Sequence, residues 1–186
     1  MTRGDKFMEE ERSHIKYFLI KLVVCVILGA LIFAFREQLI ANIKYFIGGL
    51  MIFYCVEEVL FELIYSRKHI FHKDKIYLAA IELTLGLVLI ISNINYESVC
   101  VVWAVWSILR ESYEIKEIIV ELKCWVPRIL SGLESIAVIV LSIMLILEPG
   151  EHHAMIHLYL LLVELPMSPL TPLLDEVLSR KKVQEE

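Results

Sequence analysis

Six apolar blocks, at about 15–35, 44–65, 76–93, 98–120, 129–147 and 154–174, take up most of this chain. Each comes close to the roughly 20 residues that a helix rising 1.5 Å per residue needs to cross a ~30 Å hydrocarbon layer. The blocks lack the in/out alternation of a membrane β-barrel strand, and backbone in hydrocarbon must satisfy its own polar groups, so helices are the consistent reading. Composition agrees: 58% of residues are hydrophobic and the mean hydropathy is +0.68, well above soluble domains. The sequence predicts an all-α polytopic membrane protein with six transmembrane helices as three tandem helical hairpins. Residues 1–14 form an N-terminal segment, 15–175 the membrane domain with hairpins 15–65, 76–122 and 129–175, and 176–186 a charged tail. The first 14 residues lack a small-residue cleavage site, so the first span is expected to be retained.

Lysine and arginine in the connections set orientation, whereas acidic residues count for little, so the net charge of −5 matters less than placement. Arg3, Lys6, Arg12 and Lys16 precede the first span. Arg67, Lys68, Lys73 and Lys75 fall in the second connection, Lys123 and Arg128 in the fourth, and Arg180, Lys181 and Lys182 in the tail. The opposite connections hold only Arg36 and Lys44. Both termini are therefore expected in the cytoplasm. The external loops NINYES (93–98) and EPGEHH (148–153) are too short for a folded domain. Cys25, Cys55, Cys100 and Cys124 are scattered without a C-x-x-C pair, which argues against a disulfide framework or a thiolate metal site.

An internal repeat underlies the hairpins. Aligning the second helix of each pair sets LMIFYCVEE (50–58), VWAVWSILRE (102–111) and LYLLLVE (158–164) together. Glu58, Glu111 and Glu164 are then 53 residues apart each time, and Glu82 and Glu134 lie 52 apart in the first helices. Three parallel copies of one hairpin predict three glutamates at one membrane depth, near a pseudo-threefold arrangement.

The fourth block carries the strongest anomaly, WAVWSILRESYEIKEIIVELK (103–123). At 100° per residue Trp103, Ser107, Arg110, Glu114, Glu117 and Glu121 share one face, with Trp106 and Tyr113 beside it, so that face turns towards other helices, a wet cavity or the cytoplasmic boundary. Arg110 lies about 18 Å from the external end, where an unpaired charge costs several kcal/mol on insertion scales. Glu114 at i+4 is the partner expected within the helix, and Glu58 and Glu164 those expected from the repeat. Glu58, Glu62, Glu82, Glu111, Glu114, Glu134 and Glu164 all fall in the cytoplasmic half, against Lys21, Arg110 and Lys116. Carboxylates outnumber cations, so some are protonated or water reaches them. Two readings follow: titrating groups of a proton- or cation-responsive inner cavity, or interhelical ion pairs that fix register.

The sixth block contains ELPMSPLTPLLDE (164–176). Only about 18 Å of helix separates Ala154 from Leu165, and Pro166, Pro169 and Pro172 each remove a backbone donor. A helix break is expected there, of the kind that lines cavities in transporters; a bent helix end is the plainer alternative. His153 and His157 have the i, i+4 spacing of a zinc pair, but no third ligand or base is placed by sequence, so they are weak metal candidates and no resident metal is expected. Arg67, Lys68, His69, His72, Lys73 and Lys75 suit anionic lipid headgroups. No phosphate loop, nucleophile elbow or H-E-x-x-H motif occurs, so hydrolase, nucleotidase and nucleic-acid readings lack support. Neither a catalytic residue nor a cofactor is expected. The expected partners are membrane lipids and a second copy of the chain, although no G-x-x-x-G motif supports association.

The segment 103–123 resembles the hairpin repeat of the HdeD-like family of small bacterial inner-membrane proteins. Trp103 or Trp106, Arg110, Glu114, Ile115 and Leu122–Lys123 stand where that family has its tryptophan, arginine, acidic, isoleucine and leucine–basic positions. Glu148–Pro149 is similar to the proline that follows a repeat's first helix. Glu111 replaces the glycine after the arginine, and the first and third hairpins lack the arginine. The resemblance implies a bacterial cytoplasmic-membrane protein connected with acid or envelope stress, without a catalytic residue set. The expectation is thus a non-enzymatic membrane protein whose inner-leaflet carboxylate/arginine cluster senses protonation. The alternatives are a small proton- or cation-coupled transporter or channel, and a lipid-binding or assembly subunit.

Overall fold

The computed structural model describes the backbone of residues 3–65 and 73–185. Side chains within 3–17, 61–65, 73–75 and 180–185, and those of 117, 120 and 121, lie outside the description. The described residues form seven α-helices and no strand: α1 (Arg3–Ala34), α2 (Arg36–Ala41), α3 (Ile43–Tyr65), α4 (Lys73–Ile91), α5 (Tyr96–Glu121), α6 (Trp125–Leu147) and α7 (Glu151–Glu185). The all-α expectation holds. The basic connection of residues 67–72 lies outside the described residues.

Polar residues at the connections start and stop the helices. Asn95 accepts a hydrogen bond from the Ser98 amide at 3.0 Å and caps α5, satisfying one of the amides left over at a helix start. Between α2 and α3, the Asn42 side chain donates to the Gln38 carbonyl at 3.0 Å and closes the turn. α6 is capped from a distance: the Asp175 carboxylate of α7 accepts from the Cys124 amide at 2.6 Å and from the Lys123 amide at 3.1 Å. That bond ties the α5–α6 turn to the far part of α7.

α7 differs from expectation. It runs as one helix from Glu151 to Glu185 with Pro166, Pro169 and Pro172 inside it, so the expected helix break is not observed, and the charged tail continues the helix to Glu185. Each proline deletes only its own amide; spaced three apart, they leave Met167, Ser168, Leu170 and Thr171 able to donate and carry the helix through. Packing against α1 and α6 holds it.

The closest backbone packing joins α3 to α4, α5 to α6, and α7 to both α1 and α6. This shifts the expected pairing. Of the three expected hairpins only 129–175 is closely packed; α1 with α3, and α4 with α5, are not among the closely packed pairs. Glycine placement explains part of this. At the α3–α4 crossing a Cβ on Gly48 would stand 2.8 Å from the Gly86 carbonyl, and one on Gly86 2.7 Å from that of Gly48. Bare Cα atoms let these backbones meet. Between α1 and α3, by contrast, Leu28, Leu31, Phe35, Phe46, Leu50 and Phe53 line an apolar groove of about 580 Å³ floored by α2.

The apolar core fills the end of the bundle that carries the short connections. Ile40, Ile47, Leu89, Trp103, Leu145 and Leu158 are fully buried there. Outward faces are apolar too: Ile91 is 80% exposed, Leu147 74% and Ile20 65%, and Leu133, Ile136 and Val140 form an exposed stripe on α6. Two helical stretches, Trp125–Leu147 and Glu151–Ser179, are long and apolar enough to cross a membrane. The described parts of α1 and α4, Phe18–Ala34 and Ile76–Ile91, are apolar as well. α3, with Lys44, Glu57, Glu58 and Glu62, and α5, with Arg110, Glu111, Glu114, Lys116, Glu117 and Glu121, are interrupted by charge.

Candidate functional site

The polar faces of the helices converge at the other end of the bundle. There a cavity of about 260 Å³ takes side chains from every long helix: Lys21 of α1, Glu57 and Glu58 of α3, Leu78 of α4, Arg110 and Glu114 of α5, Glu134 of α6, and Glu164 and Thr171 of α7.

Arg110 organises its wall. Arg110 is 6% exposed, and its guanidinium donates through Nη1 to Glu82 Oε1 at 3.1 Å. Nη1 also stands 4.0 Å from Glu58 Oε1, and Nε stands 3.2 Å from Glu114 Oε1. The ring of Tyr54 lies 3.6 Å from the guanidinium carbon, a cation–π contact that is stronger away from water. Glu82 is fully buried and accepts a second hydrogen bond on the same oxygen, from Trp106 Nε1 at 3.1 Å. Three helices thus meet at one cation. The helical spacing Trp106, Arg110, Glu114 supplies the α5 side of this contact, since residues four apart share a face.

A second ion pair closes the α1 side, Lys21 Nζ to Glu57 Oε1 at 2.7 Å. Sequence reasoning singled out Glu58 through the repeat and passed over Glu57; the signal available was a lone lysine in the first span opposite two adjacent glutamates. Trp106 as the donor to Glu82 and Asp175 as the cap on α6 were likewise not anticipated.

The structure brings Glu58, Glu82, Arg110 and Glu114 together and places Glu134 and Glu164 in the same cavity. Glu111 turns away to face Ser135 of α6 and is buried there. The three glutamates of the repeat therefore do not share one site. The backbone of Glu62 lies in α3, and its side chain is outside the described residues. Of the prolines, Pro172 lines the cavity, Pro169 is buried and Pro166 half-buried.

The two histidines do not converge. His157 is buried, with its Nε2 3.1 Å from the Ser107 hydroxyl and its ring edge-on to Trp103 at 4.6 Å. His153 instead reaches Glu148 at 3.7 Å. Among the described residues no three His, Cys, Asp or Glu side chains are grouped to hold a metal ion. The four cysteines are buried, and the Cys124 thiol donates to the Asp175 carbonyl at 3.9 Å.

This arrangement can hold protons or cations on carboxylates that stand beside a fixed guanidinium. No family model matches this chain, and no curated protein or solved structure matches it.

Proposed function

We propose that this chain is an integral membrane protein of six spans with both termini in the cytoplasm, acting without catalysis, whose inner carboxylate/arginine cluster takes up protons and alters helix packing. A bacterial cytoplasmic membrane and a role in acid or envelope stress accord with its resemblance to HdeD-like proteins. Support for the membrane setting comes from the inverted distribution of polarity. Large apolar side chains cover the outside while Glu82, Glu111 and Arg110 are buried inside, and an apolar surface of that extent is foreign to a monomer in water. Six spans also reconcile the charged helices with the bilayer, because their charges face the interior.

The observation that carries the functional reading is the position of Arg110. Carboxylates on α3, α4 and α5 meet its guanidinium, with Tyr54 beneath it and Lys21, Glu57, Glu134 and Glu164 around the same cavity. Protonating any of these carboxylates changes the balance of charge at a contact between three helices. Melting of the purified protein should therefore vary between about pH 5 and pH 7.5, and Arg110→Gln should lower Tm and change that dependence. An Arg110→Gln protein that melts like wild type at both ends would sink the reading.

A second reading, a small proton- or cation-coupled transporter, is favoured by one observation: every long helix contributes to the cavity. It requires flux in liposomes under a pH gradient, abolished by Glu164→Gln with folding intact; no flux above empty liposomes removes it.

A further inference from the structure

The cavity holds more carboxyl groups than cations. Its walls carry the carboxylates of Glu57, Glu58, Glu114, Glu134 and Glu164 against Lys21 and Arg110. Lys21 is matched by Glu57, and Arg110 by Glu82 and Glu114. Glu134 and Glu164, on α6 and α7, have no basic side chain within 4.0 Å among the described residues.

An independent feature lies further along α7 in the same cavity. Thr171 lines the cavity, is 5% exposed, and its hydroxyl has no hydrogen-bond partner among the described residues. A buried hydroxyl without a partner is disfavoured unless a ligand or water completes it. It lies seven residues after Glu164 on α7, two helical turns along the same face.

Ligand chemistry follows from the spread of these groups. A metal ion requires several donors within coordination distance, and no such group of three exists among the described residues. The carboxylates are distributed over the walls, and Ile118 and Met167 supply apolar surface in the same cavity. Separated carboxyl and hydroxyl acceptors with hydrocarbon contact suit an aliphatic chain with an ammonium at each end. The volume of about 260 Å³ lies just below the ~300–1,000 Å³ of typical small-molecule pockets, which limits the chain to a short one.

We propose that the inner cavity binds a short linear aliphatic diamine, one ammonium donating to Glu134 and Glu164, the methylenes against Ile118 and Met167, and the second ammonium donating to the Thr171 hydroxyl two turns further along α7. This rests on the reading of the cavity as a carboxylate cluster reached by water, and it names the ligand class.

The test is calorimetric titration of the full-length protein in detergent with diaminobutane, and in parallel with butylamine, butanediol and magnesium chloride. Diaminobutane should bind saturably, about tenfold or more tighter than butylamine, since a charge-assisted hydrogen bond contributes enough for that factor, and butanediol should not bind. Glu164→Gln should weaken diaminobutane about tenfold or more, and Thr171→Val about two- to tenfold; if Glu164→Gln fails to fold, Glu134→Gln is read in its place. Absence of saturable binding by wild type, equal affinity for magnesium, or affinity unchanged in both the glutamate and the Thr171→Val variants overturns the proposal. Failure here with a pH-dependent melt still altered by Arg110→Gln overturns only the ligand. Diamine binding with a melt indifferent to pH overturns only the protonation reading.

Discussion

An arginine with 6% exposure persists at the centre of a bundle only if its partners are as buried as it is. Glu82 meets that condition: it is fully buried and receives both Arg110 and Trp106 on one oxygen. Glu82→Ala should destabilise the protein by about 3–5 kcal/mol, the cost of leaving a buried charge without its nearest partner. Trp106→Phe, which removes a neutral donor and leaves the ion pair, should cost only about 1 kcal/mol. Chemical unfolding in mixed micelles separates them; equal losses would show that packing at Trp106, and not charge at Glu82, holds this contact. The need for partners around Arg110 was legible from its depth in an apolar block. The identity of the main partner was not, because helical spacing orders residues along one helix and says nothing of which helix lies beside it. The repeat pointed to Glu58 and Glu164. Glu58 stands 4.0 Å from the guanidinium, whereas Glu164 lines the same cavity without an ion pair of its own among the described residues.

At the scale of elements, helix pairing is decided by where backbones can approach. Gly48 and Gly86 make the α3–α4 contact, each Cα facing the other's carbonyl. Gly48→Ala or Gly86→Ala should cost about 1–3 kcal/mol by forcing the helices apart. Gly49→Ala, with nothing within 4 Å of the added carbon, should instead gain up to about 1 kcal/mol from helix propensity. The same unfolding assay reads all three, and opposite signs for adjacent glycines would establish the crossing point; a loss of similar size at Gly49 would argue against it. In the sequence Gly48 and Gly49 are indistinguishable. The contact joins two helices, so no G-x-x-x-G spacing announces it, and the hairpins drawn from loop lengths put α3 with α1 instead. Helix positions themselves were legible, since six apolar blocks became six long helices, each overlapping its block. Their ends were less so: α6 starts at Trp125, ahead of the apolar block, because the Asp175 carboxylate caps it from α7. Prolines in α7 were read as a break because one proline disrupts a helix locally; their spacing leaves enough amides between them to continue it.

For the whole molecule, the decisive question is which helices the bilayer surrounds. Among the described residues only α6 and α7 contain stretches that qualify on length and apolarity by themselves. If those two alone crossed, α1, α3, α4 and α5 would stand in water with Ile20, Val23, Ile27, Ile81, Val88 and Ile91 exposed, an apolar surface that favours aggregation over solution. With all six long helices inserted, the same side chains meet lipid and the charges meet one another. The two arrangements separate at Asn93, in the connection between α4 and α5. Six spans place Asn93 outside the cell together with Glu148, and Lys123 inside. Insertion of α6 and α7 alone places only the Glu148 turn outside. The four natural cysteines are buried, so single cysteines introduced at these three exposed positions can be followed with a membrane-impermeant maleimide. Asn93→Cys and Glu148→Cys should label on intact cells, and Lys123→Cys only after permeabilisation. Labelling of Asn93→Cys confined to permeabilised cells would put the first five helices outside the bilayer, and with them Tyr54, Glu58, Glu82 and Glu114, the four groups that surround the Arg110 side chain. The cavity would then open to bulk water, where salt screens exposed charges over ~8 Å, and the proposed coupling of protonation to membrane-helix packing through Arg110 would fail.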